Sequence, residues 1–224
     1  MIIQHDRIQI TLNQQDFSFE RKNLPEDFLT WQSQARIAAF EIMRKADSKA
    51  VVNMPAHLPV MVTYGEGCFP ANMTSKGMGL LPLEEHLEFY CEKFEQVAQA
   101  NRQELWEKSL EKRLEAVQSF YSHPQHFDSR VLGGLEIFEG STYKNLTTNP
   151  RASLLYSGQA PLFPSYQMDG FVEIIQPGNL RYRYLLAARE LFARDAFHIQ
   201  QIHYPFGYIF YPVDIRDKTP FPRR

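Results

Sequence analysis

The chain has 224 residues, 44% of them hydrophobic, and a formal net charge of −2. That length fills one core and falls short of two, so a single domain over 1–224 is expected, and a near-neutral charge without long blocks of one sign gives no pull toward nucleic acid. No stretch approaches the ~18 apolar residues of a membrane span, the first twenty residues lack a signal-peptide pattern, and Cys68 and Cys91 are too few and too isolated for a disulfide framework or a CxxC metal site, so a soluble cytoplasmic protein with reduced thiols is expected.

Residues 7–20 alternate Ile8, Ile10, Leu12 and then Phe17, Phe19 around a polar Asn-Gln-Gln-Asp, which predicts a hairpin at an edge of the structure. Asn23, Pro25 and the acidic pair Glu26-Asp27 then supply helix-start chemistry. Phe28, Trp31, Ala35, Ala38, Ala39 and Ile42 recur at three and four, which predicts an amphipathic helix to about Ala46. Residues 58–76 read as a second hairpin turning at Gly65-Glu66-Gly67, where glycine serves backbone conformation rather than a phosphate loop.

From Leu83 the period becomes helical, through Leu87, Cys91, Phe94 and Ala98 and again through Leu105 or Trp106, Leu110, Leu114, Val117 and Tyr121. One helix over that span would be about 58 Å long, longer than a small domain is wide. Two antiparallel helices broken near Asn101 are the alternative. Nine glutamates against five bases between 84 and 121 read as a solvated face, where i,i+4 pairs contribute only ~0.2–0.5 kcal/mol each.

Residues Gly134–Tyr156, GLEIFEGSTYKNLTTNPRASLLY, read as strand, short helix and strand. Ser141 and Thr142 suit a helix start, and Asn149-Pro150 stops the helix because proline disfavours α geometry in the residue before it. A Pro-broken connection over 157–165, a strand to Ile175, a turn at Gln176–Asn179, a helix over 180–197 and a last strand over 208–215 follow, with Pro212 at an edge or bulge. The arginines of the carboxy-terminal part interleave with Tyr182, Tyr184 and Tyr204, as expected where arginines lie over core aromatics with their charged ends in water; some are expected at a subunit interface.

Three constellations carry ligand types without a site pattern. His123, His126 and Asp128 suit a transition metal by type, but Pro124 makes a loop of them. His198 and His203 flank the last helix and read as ordinary loop histidines, with haem ligation as the alternative. Ser141, Ser153 and His57 lack a G-x-S-x-G elbow.

The run S-T-Y-K-N-L-T-T-N-P-R-A-S-L from Ser141 to Leu154 resembles the strand-helix-strand pattern S-R-K-x-x-N-L-x-x-N-P-R-x-S-L of the FMN-binding split-barrel superfamily, the pyridoxamine 5'-phosphate oxidase-like proteins. Asn145, Leu146, Asn149, Pro150, Arg151, Ser153 and Leu154 carry the match. Val62-Thr63, Gly67 and Pro70 resemble the family's first hairpin. The likeness covers residues ~50–76 and ~130–216, leaving 1–22 as an amino-terminal extension and 83–126 as a helical insertion.

The resemblance implies an α+β fold, an antiparallel split β-barrel of six strands flanked by helices, and a homodimer with a small-molecule cleft where two barrels meet. It implies FMN as cofactor and an oxidoreductase of unknown substrate, with no residue identifiable as acid or base. The phosphate would be held by Ser141, Thr142 and Lys144, with Thr63 and Asn72 beside them; Ser141 and Thr142, or a neighbouring register if the loop is one residue shorter, stand where the family carries a basic pair, and Lys144 falls on the second basic position of the helix. Hydroxyls and helix amides can receive a phosphate. Two alternatives stand beside this reading: a non-enzymatic protein without flavin that binds a protein partner through its helical insertion, and a haem-binding relative.

Overall fold

In a computed structural model, which describes residues 1–12, 14–45, 55–192, 201 and 203–220, strands β1 (Ile2–Ile3), β2 (Arg7–Leu12) and β3 (Gln15–Glu20) form a small antiparallel sheet. The expected hairpin is β2–β3, with Ile8 opposite Phe19 and Ile10 opposite Phe17. Helix α1 (Glu26–Lys45) follows. The remaining strands are β4 (Val60–Tyr64), β5 (Ala71–Ser75), β6 (Gly79–Pro82), β7 (Phe127–Leu135), β8 (Arg151–Ser157), β9 (Ser165–Ile175) and β10 (Gly207–Asp217). They form one antiparallel sheet in the order β5-β4-β8-β9-β10-β7-β6.

The two ends of that order meet. β5 and β6 are separated only by Lys76–Met78, so one bent strand pairs with β4 through its first half and with β7 through its second. The sheet therefore closes on itself into the six-stranded barrel that the resemblance implies, with a kink where β5 becomes β6. Tyr156 on β8 donates to the Met78 carbonyl at 3.3 Å across the seam. Gly134 permits the close approach of β7, since a Cβ there would lie 2.0 Å from the Gly77 carbonyl oxygen.

Residues 83–126, expected as a helical insertion, carry two helices, α2 (Glu84–Ala100) and α3 (Trp106–Tyr121), with the break at Asn101. Tyr90 stacks edge-on against Phe120 at 5.0 Å and Arg113 donates to the Asn101 carbonyl, which fixes the pair antiparallel. Leu87, Cys91, Phe94, Ala98, Leu114, Val117 and Tyr121 are buried as the periodicity predicts, while Leu105 turns outward and Trp106 inward. Helices α4 (Ser141–Thr148) and α5 (Leu180–Glu190) complete the fold. The part of the last predicted helix beyond Phe192, His198 and the end of the first predicted helix at Ala46 lie outside the described residues.

One helix departs from the sequence expectation. Helix α1 is rotated: Ala38 and Ile42 are exposed, and Gln32, Ser33 and Arg36 are buried with Phe28 and Phe40. Polar anchoring sets that rotation, because Ser33 donates to the Tyr121 carbonyl at the end of α3 at 2.6 Å, while Phe28 sits 5.1 Å from the Tyr156 ring and 5.2 Å from that of Tyr166. Aromatic pairs of this kind contribute about 0.5–1.5 kcal/mol beyond their buried area. Pro212 lies at a bulge of β10, as expected, with a register shift between Pro212 and Asp214. β7 pairs β10 only as far as Phe210, so at Pro212 the chain meets an open side, and its carbonyl accepts from Lys22 instead.

Arg189 of α5 lies 4.7 Å over the Tyr204 ring, the expected stacking on an aromatic, while the other arginines of the helix are held by acids. Arg183 makes a two-pronged bond to Glu95 at 2.6 Å and 2.6 Å, and Arg181 approaches Asp128 at 3.7 Å.

Candidate functional site

The motif-bearing segment folds as β7, α4 and β8. Helix α4 begins at Ser141 behind Gly140, which offers no side-chain cap, and the Lys144 amide is bonded back to the Gly140 carbonyl at 3.1 Å. The amides of Ser141, Thr142 and Tyr143 therefore have no intrahelical acceptor and mark the positive end of the helix dipole. Tyr143 is held by parallel stacking on Phe206, ring centroids 4.6 Å apart.

The five residues singled out for phosphate binding divide into two sets. Thr63 on β4, Asn72 on β5 and Thr142 on α4 come together: Asn72 donates to Thr142 at 3.2 Å and lies 3.4 Å from Thr63. Thr63 and Thr142 are buried. These three form an internal brace that docks α4 on the first hairpin. Ser141 and Lys144 are exposed on the solvent side of the same helix.

Asn145, which sequence reasoning used only as a motif letter, belongs to the brace. Its amide donates to Thr63 at 3.2 Å, and a Cβ on Gly65 would come within 2.6 Å of its oxygen. Asn149 accepts from the Arg151 amide at 3.2 Å and from its guanidinium at 3.0 Å, and Arg151 lies 5.7 Å over the Tyr64 ring. Much of the motif therefore codes for the junction between helix and barrel.

Beneath the junction lies a buried charge centre. Glu136, fully buried just after β7, pairs with Lys76 at 2.5 Å, accepts from Tyr208 at 2.5 Å and accepts from the amides of Ile137 and Phe138. Burial first, and the carboxylate second, push the Tyr208 hydroxyl well above its ordinary range. All of the donors needed to hold a buried carboxylate are thus present. Glu139 is exposed one residue before Gly140 and opposes an anion at the head of α4.

The outer face of β4, β5 and β8 is uncovered. Met73 is 69% exposed, Leu155 39%, and Phe69 in the adjoining turn 93%; Val62 pairs with both Met73 and Ser153 across this face.

The other constellations resolve into structural roles. His126 packs on His86 and His123 at 3.8 Å and 5.1 Å between ring centroids, and Tyr90 bonds its Nδ1 at 2.8 Å. Asp128 turns away toward Arg130 and Arg181. No group of three ligating side chains among the described residues is placed to hold a metal. Ser153 donates to Asp169 at 2.5 Å, and His57 lies against Arg36. His203 is exposed. No helix among the described residues is long and apolar enough to cross a membrane.

No family model matches the sequence, and no curated protein matches it. Among solved structures, the chain is similar to HupZ of Group A Streptococcus, with 16% identity over 72% of this chain and 85% of that one at a TM-score of 0.39. It is similar to a candidate pyridoxamine 5'-phosphate oxidase from Listeria innocua, with 11% identity over 83% and 97% at 0.40. It is also similar to an FMN-binding protein from Syntrophomonas wolfei, with 7% identity over 88% and 95% at 0.38. At such identities and scores, what ties this chain to the split-barrel proteins is its own motif at Ser141–Leu154 and the closure of its sheet through Lys76–Met78.

Proposed function

We propose that the protein binds FMN, with the phosphate at the head of α4 and the flavin running along the uncovered face of β4, β5 and β8, where a second copy of the chain completes the cleft. The observation that carries this reading is the first turn of α4: three amides without an intrahelical acceptor, no side-chain cap, and exposed Ser141 and Lys144 beside them. That donor set fits a phosphate, for which a helix amino terminus is worth about 0.3–1 kcal/mol when exposed and up to ~2 when partly buried. Thr63, Asn72, Thr142 and Asn145 position the helix and do not touch the ligand. FMN would supply redox chemistry through its own ring, the protein supplying anchoring and orientation. The apolar character of Met73, Val62, Leu155 and Phe69 suits both an isoalloxazine and a barrel-to-barrel contact.

The experiment is an FMN titration of the purified chain followed by flavin fluorescence, with Ser141→Ala/Lys144→Ala as the variant and light scattering for the oligomeric state. The expected result is a dimer whose FMN affinity drops about tenfold or more in the variant. Unchanged affinity in the variant removes α4 from the site, and an absence of FMN binding by the wild type removes the reading.

A further inference from the structure

A cavity of about 130 Å³ lies between α1, α3, α5 and the kinked strand that closes the barrel. Its walls are mainly apolar, with Phe40, Val117, Leu185 and Phe192 among them. None of Ser141, Thr142 or Lys144 lines it.

One side is charged. Arg36 of α1 is 8% exposed, and its Nε has no hydrogen-bond partner. One Nη meets His57 Nδ1, and the guanidinium stands 5.5 Å from the Tyr121 ring. No carboxylate among the described residues pairs with Arg36. Arg189 and His57 also line the cavity, and none of its lining residues among those described is acidic. A guanidinium taken out of water normally faces a counter-charge; here it faces an apolar space.

The chain also keeps that space open. A Cβ on Gly79 would lie 3.3 Å from the Arg36 guanidinium, and one on Gly77 would lie 3.1 Å from His57 Nε2. Both glycines have negative φ, so backbone conformation does not require them there.

We propose that this cavity binds a small organic monocarboxylate with a compact apolar body, its carboxylate on Arg36 and its ring or short chain between Phe40, Leu185 and Phe192. Guanidinium offers a carboxylate two parallel donors, and the cavity adds a desolvated setting that strengthens them. An apolar cavity of about 150 Å³ takes a benzene ring, so the space here suits one small ring or a chain of similar size. A flavin needs far more room, which makes this site separate from the FMN reading and independent of it. A phosphate dianion is disfavoured, because the apolar walls strip its hydration.

The test uses the full chain near neutral pH with benzoate as probe, isosteric neutral benzamide and inorganic phosphate as controls, and calorimetry with thermal unfolding as readouts. Benzoate is expected to bind saturably and raise the melting temperature, with benzamide and phosphate about tenfold weaker or more. Arg36→Met is expected to lose about tenfold or more in benzoate affinity while the free protein stays folded, since the change removes an uncompensated buried charge. Ala188→Leu keeps Arg36 and fills the cavity from α5; it is expected to abolish binding and decides the matter if Arg36→Met does not fold. No response to millimolar benzoate, equal affinity for benzamide, or full binding by Ala188→Leu would overturn the proposal.

Discussion

Replacing Lys76 by methionine tests whether the barrel seam is held as described. Lys76 sits on the three-residue link between the two halves of the kinked strand, and its ammonium meets Glu136 at 2.5 Å with side chains 14% and 0% exposed. The substitution keeps the aliphatic stem and removes the charge. Glu136 would keep Tyr208 and two backbone amides as donors but lose its counter-ion. Removing one partner of a buried pair costs about 3–5 kcal/mol, and the three remaining donors place the cost at the lower end, about 3 kcal/mol. For a chain of this size each kcal/mol lowers the melting temperature by roughly 2–4 °C, so a fall of roughly 6–12 °C is expected.

Urea and thermal unfolding of Lys76→Met, Glu136→Gln and the double variant provide the assay. The double variant should be more stable than the sum of the single losses implies, because a neutral glutamine side chain in place of the carboxylate no longer needs a cation. A Lys76→Met protein within about 0.5 kcal/mol of the wild type, or strict additivity of the two losses, would refute the reasoning.

Partial burial, then the neighbouring His86 and His123, lower the His126 pKa. The unfolded chain therefore takes up a proton first, near its ordinary pKa of about 6.5, and stability present above that value is lost as pH falls toward the folded pKa. The melting temperature should decline on acidification from about pH 7, and His126→Asn should flatten that decline; an unchanged slope would contradict it. Gly134→Ala should prevent folding, since its Cβ would meet backbone at 2.0 Å, whereas Gly140→Ala, with nothing closer than 4.0 Å, should fold normally; expression and circular dichroism separate the two. Burial pushes the Cys91 thiol up to about 11 while Cys68 is exposed, so at mildly alkaline pH iodoacetamide should label Cys68 alone until denaturant is added, as peptide mass mapping would show.

Local signals carried much of the fold. The alternation at Ile8, Ile10, Phe17 and Phe19 and the stop at Asn149-Pro150 each act within a few residues, and helix length alone raised a break near Asn101 as the alternative to one long helix. β6 escaped notice because Gly79–Pro82 is buried throughout, so it lacks the period-two contrast that marks a half-exposed strand. The rotation of α1 is set by a bond to a carbonyl 88 residues away, which no periodicity encodes. Of the candidate site, the motif located α4, and Thr63 and Asn72, named beside it for the phosphate, pack against that helix. The motif did not separate Thr142, turned inward to the brace, from Ser141 and Lys144, turned outward. Arg36 and His57 read separately as a helix residue and a loop residue, and only the closed sheet brings them to one cavity.

If the head of α4 holds a phosphate, the protein should prefer FMN to riboflavin, which differs only by lacking that group. Equilibrium titration of the same purified protein with both flavins should give FMN an advantage of about tenfold or more, shrinking as salt rises. Equal affinities for the two flavins, or no affinity for either, would contradict it.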